Sequence, residues 1–170
     1  YKRQGLDRYQ RYSSGHDNLL MRKAFTLVEL IFVIVVIGVL SAVAIPQFSR
    51  LTDNAKISSE LSTASSVQAA LEAVHGEWII SDCDFTWGNN RPFSELNSDG
   101  YPSSLGESDT KPLNYLLKST ETSKWSRTGT RYKGPASGTE GTSHCKAGKP
   151  CIGKSWEYDP ATGEFRLVEP

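Results

Sequence analysis

One carboxylate, Glu29, stands inside the most apolar stretch of the chain. Of the 21 residues from Phe25 to Ile45, only Thr26, Glu29 and Ser41 are polar. A charged side chain costs about 2.5–3.5 kcal/mol at the centre of a membrane-inserted helix, and somewhat less near its end. A buried charge is tolerated when it is paired, so Glu29 calls for a partner and is the first candidate for a functional residue. The remaining chemistry is sparser. His144, Cys145 and Cys151 lie close together, but their spacing matches no zinc pattern and no second cysteine pair exists. Asp82, Asp84, Asn89 and Asn90 offer oxygens to calcium, without the glycine and distal glutamate of an EF-hand loop. Neither a Ser-His-Asp order, a phosphate loop nor paired catalytic carboxylates stands out. The sequence therefore reads as a non-enzyme with no cofactor beyond a calcium candidate.

The element that must hold Glu29 is the apolar run itself. Twenty-one helical residues cover roughly 32 Å, and a hydrocarbon core needs about 20 such residues. Val28, Ile31, Val33, Ile34, Val35, Val36 and Ile37 are weak helix formers in water. In lipid the helix wins, because each unpaired backbone group there costs several kcal/mol. Arg22 and Lys23 precede the run and no Lys or Arg follows until Arg50. This asymmetry predicts a cytoplasmic N-terminus and an extracytoplasmic remainder. A cleaved secretory signal, with Ser41-Ala42-Val43-Ala44 as its site, and a plain anchor are the competing readings. Glu29 disfavours both.

Arg22-Lys23-Ala24-Phe25-Thr26-Leu27-Val28-Glu29-Leu30, the apolar run, and then Ala44-Ile45-Pro46 resemble the N-terminus of type IV pilins and type II secretion pseudopilins. The resemblance covers residues 21–46 and is general beyond them. It implies cleavage by a prepilin peptidase between Ala24 and Phe25, followed by N-methylation of Phe25. It implies assembly of the mature chain with other pilin or pseudopilin subunits on an inner-membrane assembly platform. Glu29 would then pair with the N-terminal amine of a neighbouring subunit, as subunit registration. The family prefers Gly before the cut, where this chain has Ala24. Met21-Arg22-Lys23-Ala24 resembles a short leader, so residues 1–20 are expected to be upstream sequence that is not normally translated, or else part of a long leader. Residues 1–24 are in either case expected to be removed.

The chain has 170 residues, with 19 Lys and Arg against 19 Asp and Glu, a formal net charge of zero. That balance argues against nucleic acid as a partner. Residues 1–24 hold six of the basic and two of the acidic residues, leaving 13 against 17 in a chain beginning at Phe25. Pro46 removes a backbone hydrogen bond and predicts a helix kink. From residue 49 to 75 an amphipathic pattern places Leu51, Ala55, Ile57, Leu61, Ala64, Val67, Leu71 and Val74 on one face. Asp53, Lys56, Ser59, Glu60, Gln68 and Glu72 fall on the other. Gly76 is the expected stop, giving one helix of roughly 75 Å, with two helices joined at Pro46 as the alternative.

Eleven of the 14 glycines, seven of the eight prolines and all four tryptophans lie in 76–170. Turn signals fall at Gly88-Asn89-Asn90, Asp99-Gly100-Tyr101-Pro102 and Lys111-Pro112, with a short helix or turn at 112–117. Strands are expected near Lys124–Tyr132, Lys154–Tyr158 and Glu164–Val168, the last two joined by Asp159-Pro160-Ala161-Thr162-Gly163. An oxidising compartment favours a disulfide, Cys145–Cys151 first and Cys83 with either as the alternative, with one cysteine left over.

The expected fold is α+β and pilin-like: a long N-terminal helix on a small antiparallel sheet. Its parts are 1–24, removed; 25–45, transmembrane or filament core; 46–75, amphipathic; and 76–170, periplasmic and globular. The expected function is a structural subunit of a type II secretion pseudopilus or type IV pilus, single-pass in the inner membrane before entering an extracytoplasmic filament. A membrane-anchored periplasmic binding or adhesion module is the alternative.

Overall fold

The computed structural model describes residues 25–81, 84–118 and 123–170. Ala24, Asp82 and Cys83 lie outside the described residues. One long helix, α1 (Leu27–Ile80), opens the fold and runs unbroken with Pro46 inside it. The stretch of this helix that carries its buried residues, Glu60 to Val74, packs against a four-stranded antiparallel sheet, so the class is α+β. The sheet is a meander of β3 (Ser126–Thr128), β4 (Arg131–Lys133), β5 (Ser155–Asp159) and β6 (Glu164–Val168), each strand beside the next. A separate two-stranded hairpin, β1 (Thr86–Trp87) and β2 (Arg91–Pro92), lies between helix and sheet in the sequence.

Two bodies can be distinguished, residues 1–42 and 43–170. In the first, every described residue except half-buried Ser41 is exposed. In the second, Ala64, Val67, Leu71 and Val74 form a buried stripe on α1 at three- and four-residue steps. This is the face of a 3.6-residue period, and burial of these side chains holds the helix to the sheet. Against it stand Tyr132, Trp156, Tyr158 and Phe165 from the sheet, Trp125 just before β3, and Leu105 and Leu113 from the long connection. Trp156 and Phe165 stack with centroids 5.4 Å apart and planes 8° apart, and Tyr132 meets Phe165 edge-on at 5.5 Å. Inward Trp156 and Tyr158 alternate with more exposed Glu157 and Asp159 along β5, as a half-buried strand requires.

Four sequence expectations change. The helix does not stop at Gly76; it continues to Ile80. His75 stacks between Trp78, at 5.6 Å, and Tyr101, at 4.4 Å, so aromatic packing holds the extra turn in place. Gly100 permits this: its φ is +77°, and a Cβ there would lie 2.4 Å from the Trp78 ring. The expected strand at 124–132 is instead a hairpin, because Gly129 at φ +62° reverses the chain between β3 and β4. Leu51 and Ala55, expected on the packed face, are exposed. Glu60 and Gln68, expected on the solvated face, are drawn into the packing, Glu60 completely.

Residues 112–117 form turns, not a helix proper. The β5–β6 hairpin has the expected loop, closed by Gly163 N–H donating to Asp159 O at 2.8 Å.

Candidate functional site

The N-terminal site is built on the first turn of α1. Phe25 and Thr26 precede the helix, and Phe25 is 83% exposed. Thr26 caps the helix: the Glu29 N–H donates to its Oγ1 at 3.2 Å, and the Leu30 N–H to its carbonyl at 3.2 Å. Thr26-Leu27-Val28-Glu29 has the spacing of a capping box, a signal the sequence reading missed. Glu29 is therefore the third helical residue, exposed, beside the positive end of the helix macrodipole. Two effects favour an anion at this position: free N–H groups and the dipole. A positive group brought alongside Glu29 would be paired, and the Phe25 backbone nitrogen lies only four residues before it.

After Glu29 the helix offers an unbroken apolar surface. Its most apolar 18-residue window has a mean hydropathy of 2.9 and is wholly unburied. Pro46 lies just past this run, and by lacking an N–H it leaves one carbonyl of the preceding turn without its helical donor.

The second polar centre was not foreseen. Glu60 is 0% exposed and accepts four hydrogen bonds. Ala136 N–H donates to Oε2 at 2.6 Å and Ser137 N–H at 3.0 Å. Ser137 Oγ donates to Oε1 at 2.6 Å and Trp156 Nε1 at 2.7 Å. One carboxyl thus ties α1 to the 134–137 turn and to β5. Gly134 allows the close approach, since a Cβ there would lie 2.7 Å from Glu60 Cδ. The available signal was position: residue 60 falls on the buried stripe of residues 64, 67, 71 and 74, while its residue type alone had assigned it to solvent. Gln68 does a related job at the sheet edge, accepting from Phe165 N–H at 3.0 Å and donating to Gly163 O at 3.4 Å. It thereby covers part of the exposed edge of β6.

Cys145 and Cys151 are joined by a disulfide, with Cα atoms 5.3 Å apart. Next to it, His144 Nδ1 meets Asp53 Oδ2 of α1 at 3.0 Å, and Lys56 Nζ donates to Glu140 O at 2.5 Å. The segment leading into the closed loop is thus fastened to the helix at two points, Glu140 and His144. His144 is engaged with Asp53, and among the described residues no group of three or more His, Cys, Asp or Glu side chains gathers. Of the calcium candidates, Asn89 and Asn90 build the β1–β2 turn. Asn90 has φ 60°, and the Asn89 side-chain amide donates to Asn114 O. Asp84 is exposed, and Asp82 lies outside the described residues.

Several titrations are displaced. Burial pushes the Tyr158 hydroxyl well above the usual tyrosine range. Burial also raises Tyr132, against a lowering hydrogen bond from Arg127. The hydrogen bond from Lys154 holds the exposed Glu169 carboxyl below its ordinary value.

The family comparison falls on the segment that contains the first turn of α1. Residues 20–45 match the family described as the prokaryotic N-terminal methylation motif. The chain is 42% identical over 69 residues to the type IV narrow pilus major component PilA5 of Thermus thermophilus, covering 39% of this chain and 59% of that protein. It is 32% identical over 89 residues to the type IV major fimbrial protein FimA of Dichelobacter nodosus, covering 52% and 54%. A fimbrial protein of Neisseria meningitidis serogroup B is 38% identical over 61 residues, covering 34% and 36%. The chain thus spans less than two thirds of the length of these relatives. No solved structure matches it significantly.

Proposed function

We propose that this chain, which belongs by its N-terminal segment to the type IV pilin family, is a structural subunit of a filament. The observation carrying this reading is the coincidence of three features at one place: the methylation-motif match over 20–45, a helix that begins at Leu27, and a carboxylate in its first turn. Peptidase cleavage between Ala24 and Phe25 creates a new amine at the helix start. N-methylation of Phe25 keeps that amine basic. In the bilayer the 25–45 segment spans the membrane with the N-terminus cytoplasmic and residues 46–170 in the periplasm. In the filament the apolar helices pack together, and Glu29 pairs with the Phe25 amine of a neighbouring subunit. Pro46 lets the helix yield between its membrane half and its globular half. Prepilin peptidase and an inner-membrane platform are the implied partners. A type IV pilus is favoured over a type II secretion pseudopilus, because the relatives above are named as pilus and fimbrial proteins.

Mass spectrometry of the chain purified from cells tests the processing step. The expected N-terminus is N-methylated Phe25. An N-terminus retaining Arg22-Lys23, or one beginning after Ala44, refutes it. Shearing cells and probing the released filaments then separates the two assemblies. A type IV pilus gives long filaments containing this chain, whereas a pseudopilin gives none at native expression and a secretion defect on deletion.

A further inference from the structure

We propose that the groove between α1 and the disulfide loop binds the phosphate of an anionic phospholipid headgroup while the subunit resides in the membrane. This rests on the reading of residues 25–45 as a span. The groove encloses about 250 Å³ and is lined by Arg50, Asp53, Asn54, Ile57, His144 and Lys146. Ile57 and the alkyl stems of Arg50 and Lys146 supply its apolar surface, and both cationic residues are exposed.

Position argues for lipid. The apolar run ends at Ile45, and Arg50 follows about 7.5 Å further along the helix at 1.5 Å per residue. Each headgroup layer is roughly 5–8 Å deep, so Arg50, which lines the groove, falls at phosphate level.

Charge argues the same way. Among the described residues, neither the Arg50 nor the Lys146 side chain has an ion-pair or hydrogen-bond partner, and both are exposed. The one acid in the groove, Asp53, is engaged by His144 at 3.0 Å and only 20% exposed, so the outward-facing charge is positive. The Lys146 backbone is held, because it sits inside the loop closed by Cys145–Cys151 and its carbonyl accepts from Lys154 Nζ at 3.4 Å. A cation on a tethered loop and a second on the helix can meet one phosphate from two sides. Each cation near an anionic surface favours binding roughly fivefold, so the pair together contributes about twenty-five-fold.

The test uses the full chain in phosphatidylcholine nanodiscs doped with phosphatidylglycerol carrying a photoactivatable headgroup, with adducts located by peptide mapping. Adducts are expected on the peptides carrying Arg50 and Lys146, and on no other part of residues 76–170 to a comparable extent. Arg50→Gln with Lys146→Gln should reduce them at least tenfold, and 0.5 M salt should act likewise. Lys118→Gln with Lys149→Gln removes the same charge from exposed positions outside the groove and should leave them unchanged. A second probe, photoactivatable in the acyl chain, reports the span through adducts within 25–45. Acyl adducts without groove adducts, or groove adducts indifferent to the double variant, overturn the inference while leaving the span intact. Groove crosslinks to a second copy of the chain in place of lipid assign the cation pair to a carboxylate of a neighbouring subunit and overturn it too. Loss of the acyl adducts refutes the membrane reading and the inference with it.

Discussion

Glu60 shows how one side chain can decide where a helix docks. Its two oxygens accept from two backbone N–H groups, a hydroxyl and an indole, all from segments at least 76 residues away in sequence. Glu60→Ala leaves these four donors facing an apolar gap. An unsatisfied buried donor costs about 1–3 kcal/mol, and some will relax onto water, so a loss of about 3–5 kcal/mol is expected. Glu60→Gln keeps the shape but turns an amide N–H₂ toward donors, and should lose about half as much. Urea midpoints at constant m-value check both. At the C-terminus, Lys154 Nζ lies 2.7 Å from Glu169 Oε1 and holds that carboxyl low. As pH falls, the unfolded chain takes up this proton before the folded chain does. The contribution is therefore fully present above the ordinary carboxylate range and is lost as pH falls through the depressed folded value. Titration of Glu169 by NMR should give a midpoint below the ordinary glutamate value in the native chain. The midpoint should return to the ordinary value in Lys154→Met, and an unchanged midpoint would remove the pair from the account.

At the level of elements, the legible parts were those written in periodicity. Ala64, Val67, Leu71 and Val74 announce a buried helical face, and Trp156, Tyr158, Phe165 and Leu167 announce two strands. What composition could not show was the exception within the pattern. Glu60 looks like a solvent residue because of its type, and only the donors of the distant 134–137 turn make its position a core position. Gly76 looks like a stop because glycine is a poor helix former, yet the His75, Trp78 and Tyr101 stack outweighs a cost of about 1 kcal/mol. The capping box at Thr26–Glu29 was legible and was hidden only because Glu29 read first as a membrane charge. Gly134→Ala tests the docking from the other side. A methyl group would meet the Glu60 carboxyl at 2.7 Å, between the turn and the helix. The expected cost is about 1–3 kcal/mol, as for overpacking of a closed core, seen as a lower melting temperature with the Cys145–Cys151 bridge still formed. If Gly134→Ala melts with the native chain, the carboxyl has room to move and the four-bond anchor is looser than its geometry implies.

At the scale of the whole chain, the two bodies obey different solvents. Every residue of the aromatic and aliphatic core lies between Ala64 and Phe165, with its half-buried neighbours between Leu61 and Leu167. No large hydrophobic residue from Phe25 to Leu51 is buried, and their exposures run from 39% to 83%. The hydrophobic effect thus holds the second body together without any apolar side chain from the first, while the first has no stable home in water. A chain beginning at Gln47 keeps Asp53, Lys56 and Glu60, and hence the contacts that fasten Glu140, His144, the 134–137 turn and β5 to α1. It is expected to be soluble and monomeric and to unfold cooperatively with the near-ultraviolet signature of packed Trp125 and Trp156. A chain beginning at Phe25 should require detergent or lipid to remain dispersed. Glu29→Ala and Glu29→Val belong to this scale as well, because their effect lies outside the single subunit. Removing the charge lowers the cost of insertion. In the proposed filament it would leave the neighbouring Phe25 amine without its counter-charge, and breaking one side of a buried pair costs about 3–5 kcal/mol. Because the loss recurs at every subunit, both variants should insert normally yet release few or no filaments on shearing. Sedimentation of the Gln47 chain at a mass above one subunit, or normal filaments from both Glu29 variants, would mean that assembly is driven from residues 47–170 and that the first body serves as an anchor alone.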